Sequence, residues 1–138
     1  MSIVKEEDLK MKIYKCDTCK ALIEVVYPED GVGISCCGKP ARELRAGDTD
    51  AALEKHVPVV SVEDGKLVVK VGSVAHPMTE EHLITTIWAE FEDGTTERSG
   101  LTANNAPETA FDLKGRTGKV TVYEYCNLHG LWKTEYTI

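Results

Sequence analysis

From Val57 to the C-terminus, apolar residues, many of them β-branched, recur in short runs broken by Gly, Asp and Pro. This is strand patterning rather than helical patterning. Val57–Val62 and Lys66–Val74 are predicted strands joined by Glu63-Asp64-Gly65, a hairpin signal. Leu83–Phe91 and Thr95–Ser99 are joined in the same way by Glu92-Asp93-Gly94. Ala110–Leu113, Lys119–Tyr125 and Leu131–Thr137 bring the total to about seven strands, the count expected of an immunoglobulin-like or fibronectin III-like β-sandwich. No helical period is sustained, and Asp50 to Lys55 predicts a single helical turn.

The first third of the chain reads differently. Lys12–Lys15 and Leu22–Tyr27 are short strand candidates, and Gly31, Gly33 and Gly38 point to tight turns. So short a segment buries little core, and a metal staple is the expected solution. Residues 1–10 form a charged extension expected to fray. Gly47-Asp48-Thr49 begins a linker, so the chain divides into 1–46, an extension plus a small metal-bound module, and 47–138, the sandwich.

Composition narrows the class. The chain of 138 residues is 42% hydrophobic and carries a net charge of −7. Residues 1–45 hold eight basic and eight acidic groups, so the whole imbalance lies in the remainder. No basic patch suggests nucleic acid. No apolar run approaches the roughly 18 residues of a membrane span, and the charged start lacks the apolar core of a secretory signal, so a cytoplasmic location is expected. The five cysteines are an odd number, and CxxC in such a context favours metal or redox chemistry over structural disulfides.

The metal-ligand residues sort into two sets. Cys16-Asp-Thr-Cys19 is a chelating knuckle, followed after 16 intervening residues by the vicinal pair Cys36-Cys37. Neighbouring side chains on an extended strand point to opposite faces, so both thiols reach one ion only if the backbone turns there. The adjacent glycines permit it, and four thiolates suit iron or zinc in a distorted tetrahedron. The second set is His56, His76, His82, Cys126 and His129, each at a predicted strand end or loop. In a sandwich such loops cluster, so ligands distant in sequence converge. Five protein ligands leave one position of an octahedral ion open, which suits ferrous iron reacting with an oxygen species, and a thiolate pushes electron density towards such a ligand. A non-catalytic iron electron carrier and a zinc-stabilised structural module are the alternative readings.

Over residues 12–138 the chain resembles desulfoferrodoxin, the two-iron class of superoxide reductase. The matching stretches are Tyr-Lys-Cys-Asp-Thr-Cys, Cys-Cys-Gly-Lys-Pro, Glu-Lys-His-Val-Pro-Val, Gly-Ser-Val-Ala-His-Pro-Met-Thr-Glu-Glu-His and Glu-Tyr-Cys-Asn-Leu-His-Gly. The resemblance implies a desulforedoxin-like N-terminal domain whose Cys16, Cys19, Cys36 and Cys37 bind one iron. It implies a second iron held by His56, His76, His82 and His129 in a plane, with Cys126 as axial thiolate opposite an open position. Glu54 and Lys55 would lie over that position, Glu54 as ligand to the oxidised iron and Lys55 attracting superoxide and helping to position a water for protonation. The implied reaction is one-electron reduction of superoxide to hydrogen peroxide, with a rubredoxin-like electron donor and a homodimeric assembly. One departure is visible: Lys20 stands where the family often has Gly directly after the second cysteine.

Overall fold

A computed structural model of the chain describes residues 11–26 and 33–138. The extension over 1–10, the end of the second predicted strand at Tyr27, and the turn at Gly31 lie outside the described residues. The chain divides into two compact units, with the boundary between Leu44 and Arg45.

The first unit is built from very short strands: β1 (Lys12–Lys15), β2 (Leu22–Val25), β3 (Ser35–Cys36), β4 (Lys39–Pro40) and β5 (Arg42–Glu43). β1 sits between β2 and β5 with both pairings antiparallel, and β3 and β4 form a separate two-stranded ladder. Among its described residues, Ile13, Tyr14 and Cys16 are the buried apolar ones.

The second unit opens with a single helical turn, α1 (Leu53–His56), and continues as β6 (Pro58–Glu63), β7 (Lys66–Val71), β8 (Ile84–Phe91), β9 (Thr96–Gly100), β10 (Glu108–Asp112), β11 (Lys119–Cys126) and β12 (Gly130–Thr137). Three strands form one sheet in the order β10-β7-β6, and four form the other in the order β12-β11-β8-β9. The expected sandwich of about seven strands is present. Its core draws on both sheets, with Leu67, Val69 and Val71 of β7 meeting Ile84, Ile87, Ala89 and Phe91 of β8 and Val120 and Val122 of β11.

Local chemistry explains the connections. Glu63 pairs with Lys66 in the ladder, leaving Asp64 and Gly65 as a two-residue loop. Both have positive φ, 51° and 75°, the pattern of the hairpin turn whose twist matches that of the strands. In the β8–β9 connection, Asp93 Oδ1 accepts from the Thr95 N–H at 2.9 Å, and Gly94 takes the left-handed conformation. The strand predicted over 66–74 stops at Val71, because the following loop turns to meet α1: the Val74 N–H donates to the Glu54 carbonyl at 2.9 Å. The helical turn expected over Asp50–Lys55 falls at Leu53–His56.

Candidate metal centres

In the first unit Cys16 follows β1, Cys19 lies in the β1–β2 turn, Cys36 ends β3 and Cys37 lies in the β3–β4 turn. Their four sulfurs lie within 4.8 Å of one another. The backbone does turn at the vicinal pair, since Cys37 has φ of 53° and Gly38 of 75°. Lys20 adopts φ of 69°, a left-handed conformation glycine takes more freely, and its ammonium folds back to the Asp17 carbonyl at 2.8 Å. Arg42 pairs with Asp17 at 3.1 Å and holds that carboxyl below its usual range.

The sulfurs compete for protons. The Cys19 N–H points at the Cys16 sulfur at 3.5 Å and draws its thiol down. The hydrogen bond to Cys16 pushes Cys36 up. Cys19 and Cys36 are 3.6 Å apart, Cys36 and Cys37 4.0 Å. Metal–sulfur bonds of about 2.3 Å would put the corners of a tetrahedron roughly 3.8 Å apart, so the spacing fits one four-coordinate ion.

In the second unit the five donors come from three places. His56 ends α1; His76 and His82 lie in the β7–β8 connection; Cys126 ends β11 and His129 occupies the turn before β12. Their ligating atoms also lie within 4.8 Å of one another. The four imidazoles form a closed ring, each edge-on to its neighbours, with centroids 4.8 Å apart for His56–His76, 4.7 Å for His76–His82, 5.0 Å for His82–His129 and 4.8 Å for His129–His56. Cys126 is fully buried and belongs to the sandwich core, so its sulfur approaches the ring from the interior. It lies 3.8 Å from His129 Nδ1.

The hydrogen bonds decide which nitrogen faces inward. His56 Nδ1 lies 2.7 Å from the Ala52 carbonyl and His76 Nδ1 2.7 Å from the Pro77 carbonyl. A carbonyl only accepts, so both Nδ1 atoms carry the proton and both Nε2 atoms present lone pairs. Those two Nε2 atoms are 3.3 Å apart, and His56 Nε2 is 3.1 Å from His129 Nδ1. His82 Nε2 is buried without a partner. Facing lone pairs and an orphaned buried nitrogen are unfavourable in an empty site and are what a shared cation resolves. Two nitrogens bound at right angles at about 2.1 Å lie roughly 3 Å apart, so the donor set fits a metal ion. Burial holds His76 down to about 4, the Pro77 hydrogen bond opposing and the neighbouring histidines adding to it. Burial likewise lowers His56 and His82, with Lys55 adding to the effect on each, while it raises the Cys126 thiol.

Glu54 and Lys55 are exposed on α1, next to His56. Two further residues, not singled out in the sequence, shape the site, and a third, Glu124, lies two residues before Cys126 on β11. The Asn127 side chain accepts the Leu83 N–H at 3.0 Å and donates to the Glu81 carbonyl at 2.9 Å, tying both sides of His82 to the β11–β12 turn. Trp132 lies with its ring 5.3 Å from that of His56, and its indole N–H donates to the His129 carbonyl at 3.0 Å. Glu124 is fully buried, neither carboxyl oxygen has a hydrogen-bond partner, and burial pushes it up to about 9.

A thiolate cluster in one unit and an imidazole ring closed by a buried thiol in a β-sandwich define a β-rich protein with two metal sites. The family model described as Desulfoferrodoxin matches residues 48–135. The desulfoferrodoxin of Syntrophotalea carbinolica is 46% identical, the match covering 91% of this chain and 97% of that protein. The superoxide reductase of Thermococcus kodakarensis is 37% identical over 71% of this chain and 97% of its own. Among solved structures, the superoxide reductase of Treponema pallidum is 35% identical with a TM-score of 0.75, covering 91% of this chain and 98% of that one. The chain belongs to the desulfoferrodoxin family. Its two donor sets match that family's two iron centres.

Proposed function

We propose that the protein is a superoxide reductase, converting superoxide, one electron and two protons into hydrogen peroxide and so detoxifying it. The observation that carries this reading is the closed ring of four imidazoles over a fully buried thiol. Iron held there supplies the electron when bound. The chain does the rest. His56, His76 and His82 present Nε2 and His129 presents Nδ1, and the Ala52 and Pro77 carbonyls fix the rings of His56 and His76. Cys126, buried in the core, would hold the iron from the interior side, and substrate would reach the site from the solvent side. Lys55, exposed one residue before His56, draws the anion in despite the acidic surround. It also holds a water for proton delivery, while Glu54 covers the open side after turnover. Cys16, Cys19, Cys36 and Cys37 hold the second iron and staple the first unit.

The electron donor in this reading is a rubredoxin-like protein, the assembly a homodimer and the compartment the cytoplasm. No helix among the described residues is long and apolar enough to cross a membrane. The deciding experiment mixes the ferrous protein with superoxide in a stopped-flow instrument. One peroxide per superoxide without dioxygen is expected. Half that peroxide accompanied by dioxygen would mean disproportionation, and no faster decay than buffer would mean no reaction with superoxide.

A further inference from the structure

The turn that carries Glu54 and Lys55 is too short to hold itself. α1 is four residues long, its N-cap Ala52 offers no side-chain hydrogen bond, and both flanking residues are extended. An isolated turn of this kind is unstable in water, so its position must come from tertiary contacts. His56 anchors one end through its buried ring. The other restraint is the loop after β7. The Glu54 carbonyl accepts the Val74 N–H at 2.9 Å and the Ser73 hydroxyl at 3.3 Å.

Gly72 makes that approach possible. A Cβ at this position would stand 2.6 Å from the Glu54 carbonyl oxygen and 3.0 Å from the Lys55 carbonyl carbon. Both are backbone atoms, so no side-chain rotation relieves the clash; the turn itself must move. The same loop also sets a metal ligand, because the His76 N–H donates to the Val71 carbonyl at 2.9 Å. One loop therefore holds His76 and the Lys55 turn in a common frame.

We propose that Gly72, Ser73 and Val74 form a latch on the Glu54 carbonyl that fixes where Lys55 stands over the iron site, so that Gly72 and Ser73 are positioning residues for the superoxide reaction. The inference rests on the reading of Lys55 given above. Gly72→Ala displaces the turn by several tenths of an ångström or more while leaving the ligands chemically intact. Ser73→Ala removes one hydrogen bond without inserting bulk, and Ser73→Thr keeps the hydroxyl.

The test combines two readouts on iron-loaded protein. Hydrogen exchange of the Val74 amide, read by mass spectrometry with fragmentation, reports the latch itself and needs no turnover. The superoxide rate constant, measured across ionic strength, reports Lys55. In Gly72→Ala, Val74 exchange is expected to quicken about tenfold or more, and the rate constant to fall by about tenfold with a shallower salt dependence. Ser73→Ala is expected to show the same changes more weakly, and Ser73→Thr to restore them. On a Lys55→Ala background, Ser73→Ala, which inserts no bulk beside His56 or His76, should slow the reaction little further, because the charge it misplaces is already gone. Native Val74 exchange in Ser73→Ala and Gly72→Ala overturns the latch, whatever the rates. Quickened exchange with native rates and salt dependence overturns its role in the reaction. A native rate in Lys55→Ala alone overturns the reading of Lys55, and the exchange data then decide the latch separately.

Discussion

Trp132 holds two of the proposed ligands at once, and Trp132→Phe separates that task from simple core filling. The substitution removes the indole N–H that donates to the His129 carbonyl at 3.0 Å and part of the ring facing His56 at 5.3 Å. A hydrogen bond of this kind contributes about 1 kcal/mol. The aromatic contact, only partly kept by Phe, accounts for roughly another 0.5–1 kcal/mol. Together they give about 2 kcal/mol, or a fall of about 10 °C in melting temperature for a unit of this size. Loss of a group that orients metal ligands typically weakens metal binding 10- to 100-fold. Chelator competition for the sandwich iron, followed by its absorption spectrum, measures this directly. Trp88→Phe is the control: Trp88 is equally buried but alternates with the core residues Ile87 and Ala89, on the other face of β8. It should lower the melting temperature while leaving iron affinity unchanged. Native iron affinity in Trp132→Phe, or an equal loss in Trp88→Phe, would refute the reasoning.

Three other outcomes follow from the structure. Cys126→Ser should abolish the thiolate-to-iron absorption of the oxidised sandwich site, and a retained band would remove Cys126 from the ligand set. Lys55→Ala should slow the reaction with superoxide by about tenfold or more and flatten its ionic-strength dependence, as measured by stopped flow. Arg116→Ala should cost about 3 kcal/mol in a denaturant titration without loss of iron. It removes a guanidinium stacked 3.6 Å over the Phe91 ring, bonded to the carbonyls of Leu113 and Asp112 and paired with Glu97.

Most sandwich strands were readable from their apolar residues, β9, which has none, from the Glu92-Asp93-Gly94 turn that joins it to β8, and the Asp64-Gly65 turn because its φ requirements leave few alternatives. The strands β3, β4 and β5 were not readable. Each is two residues long and largely exposed, so no pattern exists to detect. The predicted strand through Val74 overran because sequence cannot show that Gly72 must meet the Glu54 carbonyl. The donor sets were legible as residue types, since Cys16-x-x-Cys19 and Cys126-x-x-His129 are local knuckles. The order of the imidazoles around the ring, and the choice of Nδ1 or Nε2, depend on backbone carbonyls that only the fold supplies. Glu124 did leave a trace: it continues the phase of Val120, Val122 and Cys126, where an acidic side chain has no ordinary reason to stand.

Because the His56 and His76 rings are tied to main-chain carbonyls, they cannot tilt freely to follow whatever ion arrives. Their two Nε2 atoms are held 3.3 Å apart before any ion arrives. Less rearrangement of the ligands is then needed when the metal binds, and that preorganisation comes from Ala52 and Pro77, which never touch it.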